Sequence, residues 1–115
     1  MLFKPEFVAP ILAGRQTQTR RFWPDEHPMV RVGGTYWAQT RLFKPSSRFA
    51  RIKVVALDWV PLDPVSPEDA WAEGYDSVAA CQEVFQRING RTWWPSNEMV
   101  WRVKFVVAGQ QEEKP

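Results

Sequence analysis

The chain has 115 residues, enough for one domain, and is 44% hydrophobic with seven Trp, which excludes wholesale disorder. One cysteine and one histidine exclude an internal disulfide scaffold and a zinc finger, and no apolar run approaches the ~18 residues of a membrane span. The net charge of +2 hides an asymmetry: residues 1–60 hold ten Lys/Arg against four Asp/Glu, and residues 61–115 hold five against nine.

That split predicts either an anionic partner at the amino-terminal half or pairing of the two halves across the fold. Arg outnumbers Lys ten to five, and its planar fork suits phosphate or carboxylate. Met1-Leu2-Phe3-Lys4-Pro5 does not lead into a long apolar stretch, so no secretory signal is expected. The expectation is a cytoplasmic, reduced, soluble protein with no cofactor and no membrane partner.

In chain order, Pro5 to Ala13 reads as a short helix with Phe7, Val8, Ile11 and Leu12 on one face, disturbed by Pro10 and stopped at Gly14. The polar run Arg15 to Arg21, if extended, sends Thr17, Thr19 and Arg21 one way and Gln16, Gln18 and Arg20 the other. Phe22 to Val32 reads as loop and includes His27, an exposed loop residue. Gly33-Gly34 turns into a strand, Thr35 to Arg41. After the turn Lys44-Pro45-Ser46-Ser47, a longer strand runs from Arg48 to Val60, its alternation failing near Val55-Ala56-Leu57, where a bulge is expected.

Ser66-Pro67-Glu68-Asp69 opens a short helix: Ser caps, Pro takes the first helical position, and the acids suit the positive end of the dipole. That helix ends at Gly74. A second spans about Val78 to Asn89, with Val78, Cys81, Phe85 and Ile88 at helical spacing and Glu83 set to pair with Arg87. Cys81 falls on that apolar stripe. In the last strand, Met99 to Val107, Trp101, Val103, Phe105 and Val107 face one side, and Arg102 and Lys104 the other. Trp37 and Trp101 are expected in the core, and Trp71 is expected to pack its helix on the sheet. The order of elements predicts an α+β domain over residues 1–108, a small antiparallel β-barrel with flanking short helices, and a flexible tail over 109–115.

Four segments in this order resemble the ASCH (activating signal cointegrator homology) domain, a relative of the PUA fold. They are Ile11-Leu12-Ala13-Gly14-Arg15-Gln16-Thr17-Gln18-Thr19-Arg20-Arg21, Val32 to Trp37, Ser66 to Tyr75, and Val100 to Phe105. The Trp-rich carboxy half looks most like variants common in bacteriophage and prophage genomes. The resemblance implies a PUA-like fold and a cleft in which the Gly-Arg-x-Thr segment faces the Glu before Gly-Tyr. It also implies binding of RNA, single-stranded nucleic acid or a nucleotide, by a chain expected to be a monomer.

On that reading Arg15, Gln16, Thr17, Thr19, Arg20 and Arg21 wall the cleft, and Glu73 accepts hydrogen bonds from the ligand. Trp93 or Trp94, beside Pro95, is positioned to stack on a base. The bland reading makes the first group a solvated loop and Glu73 a surface acid paired with Arg. One branch of the resembled family hydrolyses acetylcytidine with a Lys, a Thr and a Glu, and another has been assigned ribonuclease activity. By position the amidohydrolase residues fall on Gln16, Thr19 and Glu73. The alternative function is therefore a hydrolase of an acylated or modified cytidine, or of RNA, using Thr19 and Glu73. Gln16 cannot carry a proton near neutral pH, and loss of a general base removes ~10²–10⁴ in rate. A third reading, a protein-protein adaptor anchored by exposed Trp, is weaker.

Overall fold

Pro and Gly punctuate the chain where its elements change in the computed structural model, which describes residues 1–23, 27–89 and 97–108. A 3-10 turn, Pro5–Phe7, leads into α1, Val8–Leu12. Pro10 does not break α1, because it is the third residue of the helix and its missing N–H is one of the first-turn donors with no intrahelical acceptor. The chain leaves through Gly14 at φ 78, and the amides of Arg15 and Gln16 both donate to the Pro10 carbonyl at 3.0 Å.

The strands are β1, Gln18–Arg21; β2, Thr35–Gln39; β3, Arg48–Pro61; and β4, Met99–Val107. They form one antiparallel sheet in the order β1-β4-β3-β2, curled into a half-barrel. The expected bulge is present: the β3–β4 register shifts between Val54 and Ala56. The curl leaves a seam between the free edges of β1 and β2, and the amino-terminal segment crosses it. The Phe3 amide donates to Gln39 O, the Gln39 amide donates to Met1 O, and Arg21 of β1 donates from Nη2 to Leu2 O at 2.8 Å.

Two helices cover the outside. α2, Pro67–Ala72, starts at a complete capping box: Asp69 N donates to Ser66 Oγ at 3.0 Å and Ser66 N donates back to Asp69 Oδ2. α3, Val78–Asn89, is capped by Ser77 Oγ, which accepts from Ala80 N, and the exposed Glu83–Arg87 pair closes at 2.7 Å. No helix among the described residues is long and apolar enough to cross a membrane.

Phe3, Ile11, Ala38, Ala50, Ile52 and Phe105 pack inside the curl, while Leu62, Val65, Ala70, Cys81 and Val100 pack under the helices. β4 is therefore covered on both faces at its start, where the alternation had predicted one polar face; Val100 shares that face with Arg102 and is fully buried. Two tryptophans are also corrected. Trp37 is 38% exposed on the outer face of β2, with the guanidinium groups of Arg48 and Arg51 near its ring, and Trp71 is 52% exposed on α2 with the Arg15 guanidinium 3.5 Å from its ring. Guanidinium stacking lets each indole stay at the surface with one side covered. Trp101 is half-buried and meets Trp59 across the strands at 5.0 Å.

Candidate functional site

The site begins with a match of spacings. Asp69 in the first turn of α2 and Glu73 at its C-cap, four residues apart, lie on one helical face about 6 Å apart along the axis. Gln18 and Arg20, two residues apart on β1, project to one face about 6.7 Å apart. The two pairs therefore meet in register. Gln18 Nε2 donates to Glu73 Oε2 at 2.7 Å and to Asp69 Oδ1 at 3.2 Å. Arg20 Nη2 donates to Asp69 Oδ2 at 3.2 Å and Nη1 to Leu62 O at 3.0 Å. Its Nε lies 3.1 Å from Glu73 Oε2 without aiming its N–H there, so that contact is Coulombic.

Glu73 is only 3% exposed. Burial raises its pKa from 4.5 to about 7, against the pull of Arg20 and Gln18, and the Asp69 charge adds to the rise. Asp69, more open, is instead held below its usual range: its hydrogen bond from Gln18 and the charge of Arg20 outweigh desolvation. The sign follows. Between about pH 4.5 and 7 the folded state holds a proton on Glu73 that the unfolded state has lost, so Glu73 makes stability fall as pH rises through that window. Asp69 acts below that window and in the opposite sense. Glu73→Gln is expected to flatten the decline between pH 5 and 7.5, measured as unfolding free energy in urea; an unchanged slope would assign the decline elsewhere.

The opposite face of β1 carries Thr19 and Arg21. Arg21 Nε donates to Thr19 Oγ1 at 3.1 Å, and the guanidinium sits 4.9 Å from the Phe3 ring centre. Burial lowers its pKa to about 10, which leaves it charged at neutrality, and among the described residues no carboxylate pairs with it. Gln16, 3% exposed, rests its amide against Gly74, and its Oε1 has no hydrogen-bond partner.

These groups share a cavity of about 500 Å³ that wraps the free edge of β1, within the usual size range of small-molecule sites. Gln16, Thr19, Arg20, Arg21 and Glu73 line it, together with Tyr75, the rings of Phe3, Phe7, Phe22 and Phe85, and Leu2, Lys4, Pro5, Thr40 and Val84. Phe7 and Tyr75 meet edge to face at 5.6 Å.

Two of the residues expected in the cleft stand outside it. Arg15 turns to Trp71 and Asp76, 3.0 Å from the latter, and Thr17 is fixed by its backbone, donating to Ala72 O and accepting from Phe105 N. Arg20 reaches the cavity but is committed to Asp69 and Glu73 rather than standing free as a cationic wall. Trp93 and Trp94 lie outside the described residues. His27 is exposed, and among the described residues no three His, Cys, Asp or Glu gather as metal ligands. Sequence reasoning missed Gln18, Asp69 and Tyr75 as parts of the site. The signals were present: Gln18 shares a strand face with Arg20, and Asp69 lies one helical turn before Glu73.

No family model and no curated protein matches the chain. Among solved structures, the ASCH domain from Lactobacillus crispatus superposes with a TM-score of 0.67 at 17% identity, covering 87% of this chain and 69% of that one. A protein from Enterococcus faecalis assigned to the DUF984 family model superposes with a TM-score of 0.65 at 18% identity, covering 89% and 69%. The α+β half-barrel with its short helices is thus an ASCH-like fold of PUA type, the fold that the four sequence segments predict.

Proposed function

We propose that the chain is a nucleic-acid-type binding module whose cavity takes one nucleotide, free or as an unstacked residue of single-stranded RNA. The observation that carries this reading is Arg21: a half-buried guanidinium with no carboxylate partner among the described residues, on the wall of a cavity large enough for a base and its sugar. A phosphate supplies the missing charge and matches the planar fork. The phenyl rings provide surfaces for a base. The Gln16 amide, the Thr19 hydroxyl and Glu73, which titrates near neutrality, offer donors and acceptors to its polar edge.

The test is calorimetric titration with uridine and cytidine and with their 5′-monophosphates. The monophosphates are expected to bind more tightly than the nucleosides. Arg21→Gln is expected to abolish that preference, weakening monophosphate binding by roughly tenfold or more, the scale of one charged hydrogen bond. No binding, or no contribution from phosphate, would remove the reading.

A second reading is a hydrolase of acylated cytidine or of RNA. One observation favours it: a carboxyl group with a pKa of about 7 is suited to proton transfer at neutral pH. It ranks second because the Thr19 hydroxyl meets Arg21 rather than a base, while Oε2 of Glu73 is engaged by Gln18 and Arg20. Incubation with N4-acetylcytidine followed by chromatography separates the two. Acetate release that disappears in Thr19→Ala and Glu73→Ala would promote the enzyme. Release that appears only in Gln16→Lys would mark a silenced relative.

A further inference from the structure

From His27 to Leu57 the chain holds six Lys/Arg and no Asp or Glu. This stretch builds β2, the connection that follows it and the first part of β3. Arg15 and Arg20 are matched by Asp76, Asp69 and Glu73, but among the described residues Arg41, Lys44, Arg48 and Arg51 pair with no carboxylate.

Two exposed rings, Trp37 and Phe43, lie in the same stretch as these four cations. Trp37 stands opposite Arg51 in the β2–β3 register, with the guanidinium of Arg51 4.9 Å and that of Arg48 5.2 Å from its ring centre. Arg51 is oriented by donating from Nη2 to Thr35 Oγ1 at 2.7 Å. In the connection, Phe43 is 91% exposed and held at φ 58, a region that bulky residues rarely occupy. Ser47 braces this turn: its Oγ accepts from Arg41 N at 3.1 Å and donates to Lys44 O at 2.7 Å. An organised turn therefore holds a phenyl ring out in water between Arg41 and Lys44.

We propose that this face is a platform for single-stranded nucleic acid. Unstacked bases lie on Trp37, Phe43 and the guanidinium planes, while Arg41 and Lys44 meet phosphates. Charge complementarity selects a polyanion, and exposed rings beside the cations favour a single strand over a duplex, whose bases are already stacked. The platform does not rest on the cavity reading. Thr40 lies on the cavity wall and directly precedes Arg41, so one strand can reach both.

The probe is a fluorescein-labelled decamer of oligouridylate, followed by anisotropy at several salt concentrations. The full chain is expected to bind it. Trp37→Ala and Phe43→Ala are each expected to weaken binding by roughly fivefold or more, the scale of one base stacked on a ring. Arg41→Gln with Lys44→Gln is expected to make the log-log salt slope shallower by about 0.7 for each phosphate that the variant no longer neutralises. All four side chains are at the surface, and circular dichroism checks that each variant folds. Uridine 5′-monophosphate titrated into the same variants is expected to behave as with the unmodified chain.

No binding at low salt, or affinity unmoved by both ring substitutions, would overturn the platform. So would displacement of the decamer by polyglutamate as effectively as by unlabelled decamer, which would make this an acidic-peptide surface. If the mononucleotide fails to bind while the ring variants still weaken the decamer, the cavity reading falls and the platform stands.

Discussion

Replacing Arg20 by Met is expected to cost about 3–5 kcal/mol at pH 8, the range for removing one partner of a buried ion pair. The side chain is 1% exposed and serves Leu62 O, Asp69 and Glu73 together. Without it, Glu73 stays buried with Gln18 as its remaining donor in the network. A carboxyl group that already titrates near 7 then takes up a proton more readily, so the loss is expected to be smaller at pH 5 than at pH 8. Urea unfolding at both values measures it. In the double variant Arg20→Met with Glu73→Gln, part of the loss should return, because no uncompensated charge is left inside. Equal losses at the two pH values, or less than about 1 kcal/mol at pH 8, would mean that Glu73 does not depend on Arg20 in this way.

Gly74→Ala is expected to cost roughly 2–5 kcal/mol, combining left-handed strain with overpacking. The backbone there has φ 91, and an added Cβ would lie 2.6 Å from Gln16 Oε1 and 2.8 Å from Phe7 Cδ1. Gly33 provides the control. It has φ 86 and nothing within 4 Å of the same Cβ, so Gly33→Ala carries only the strain, roughly 1–2 kcal/mol. The difference between the two variants in urea isolates the steric term. Displaced Gln16 and Phe7 both line the cavity, so Gly74→Ala is also expected to weaken mononucleotide binding where Gly33→Ala does not. If the two variants lose the same stability, the close approach at Gly74 is absorbed without consequence.

Features set by local chemistry were legible in the sequence. Ser66-Pro67 with Asp69 started α2 where expected, the failing alternation at Val55 marked the bulge, and the two faces of β1 separated as the period of two required. What lay against those faces was not legible. Arg20 and Arg21 are neighbours of identical chemistry, yet one is neutralised by two carboxylates at α2 and the other faces the cavity with no carboxylate partner among the described residues. Only the docking of α2 decides between them, and no local signal encodes it. Trp37 and Trp71 misled for a related reason: hydrophobicity predicts burial, whereas a stacked guanidinium can cover an indole that stays at the surface. The charge split between the halves was partly internal pairing, through Arg15 and Arg20, and partly Arg41, Lys44, Arg48 and Arg51, which pair with no carboxylate among the described residues.

Cys81 sits at the junction of α3, α2 and β4 with no exposed surface, and burial, helped by the charge of Glu73, pushes its thiol up to about 12. It is the one cysteine of the chain. A thiolate-seeking reagent in neutral buffer therefore finds nothing to attack until α3 lifts from the sheet. Because Val84 and Phe85 of the same helix line the cavity, the pace of alkylation becomes a clock for how often that wall swings away, and an occupant leaning on those two side chains would slow it.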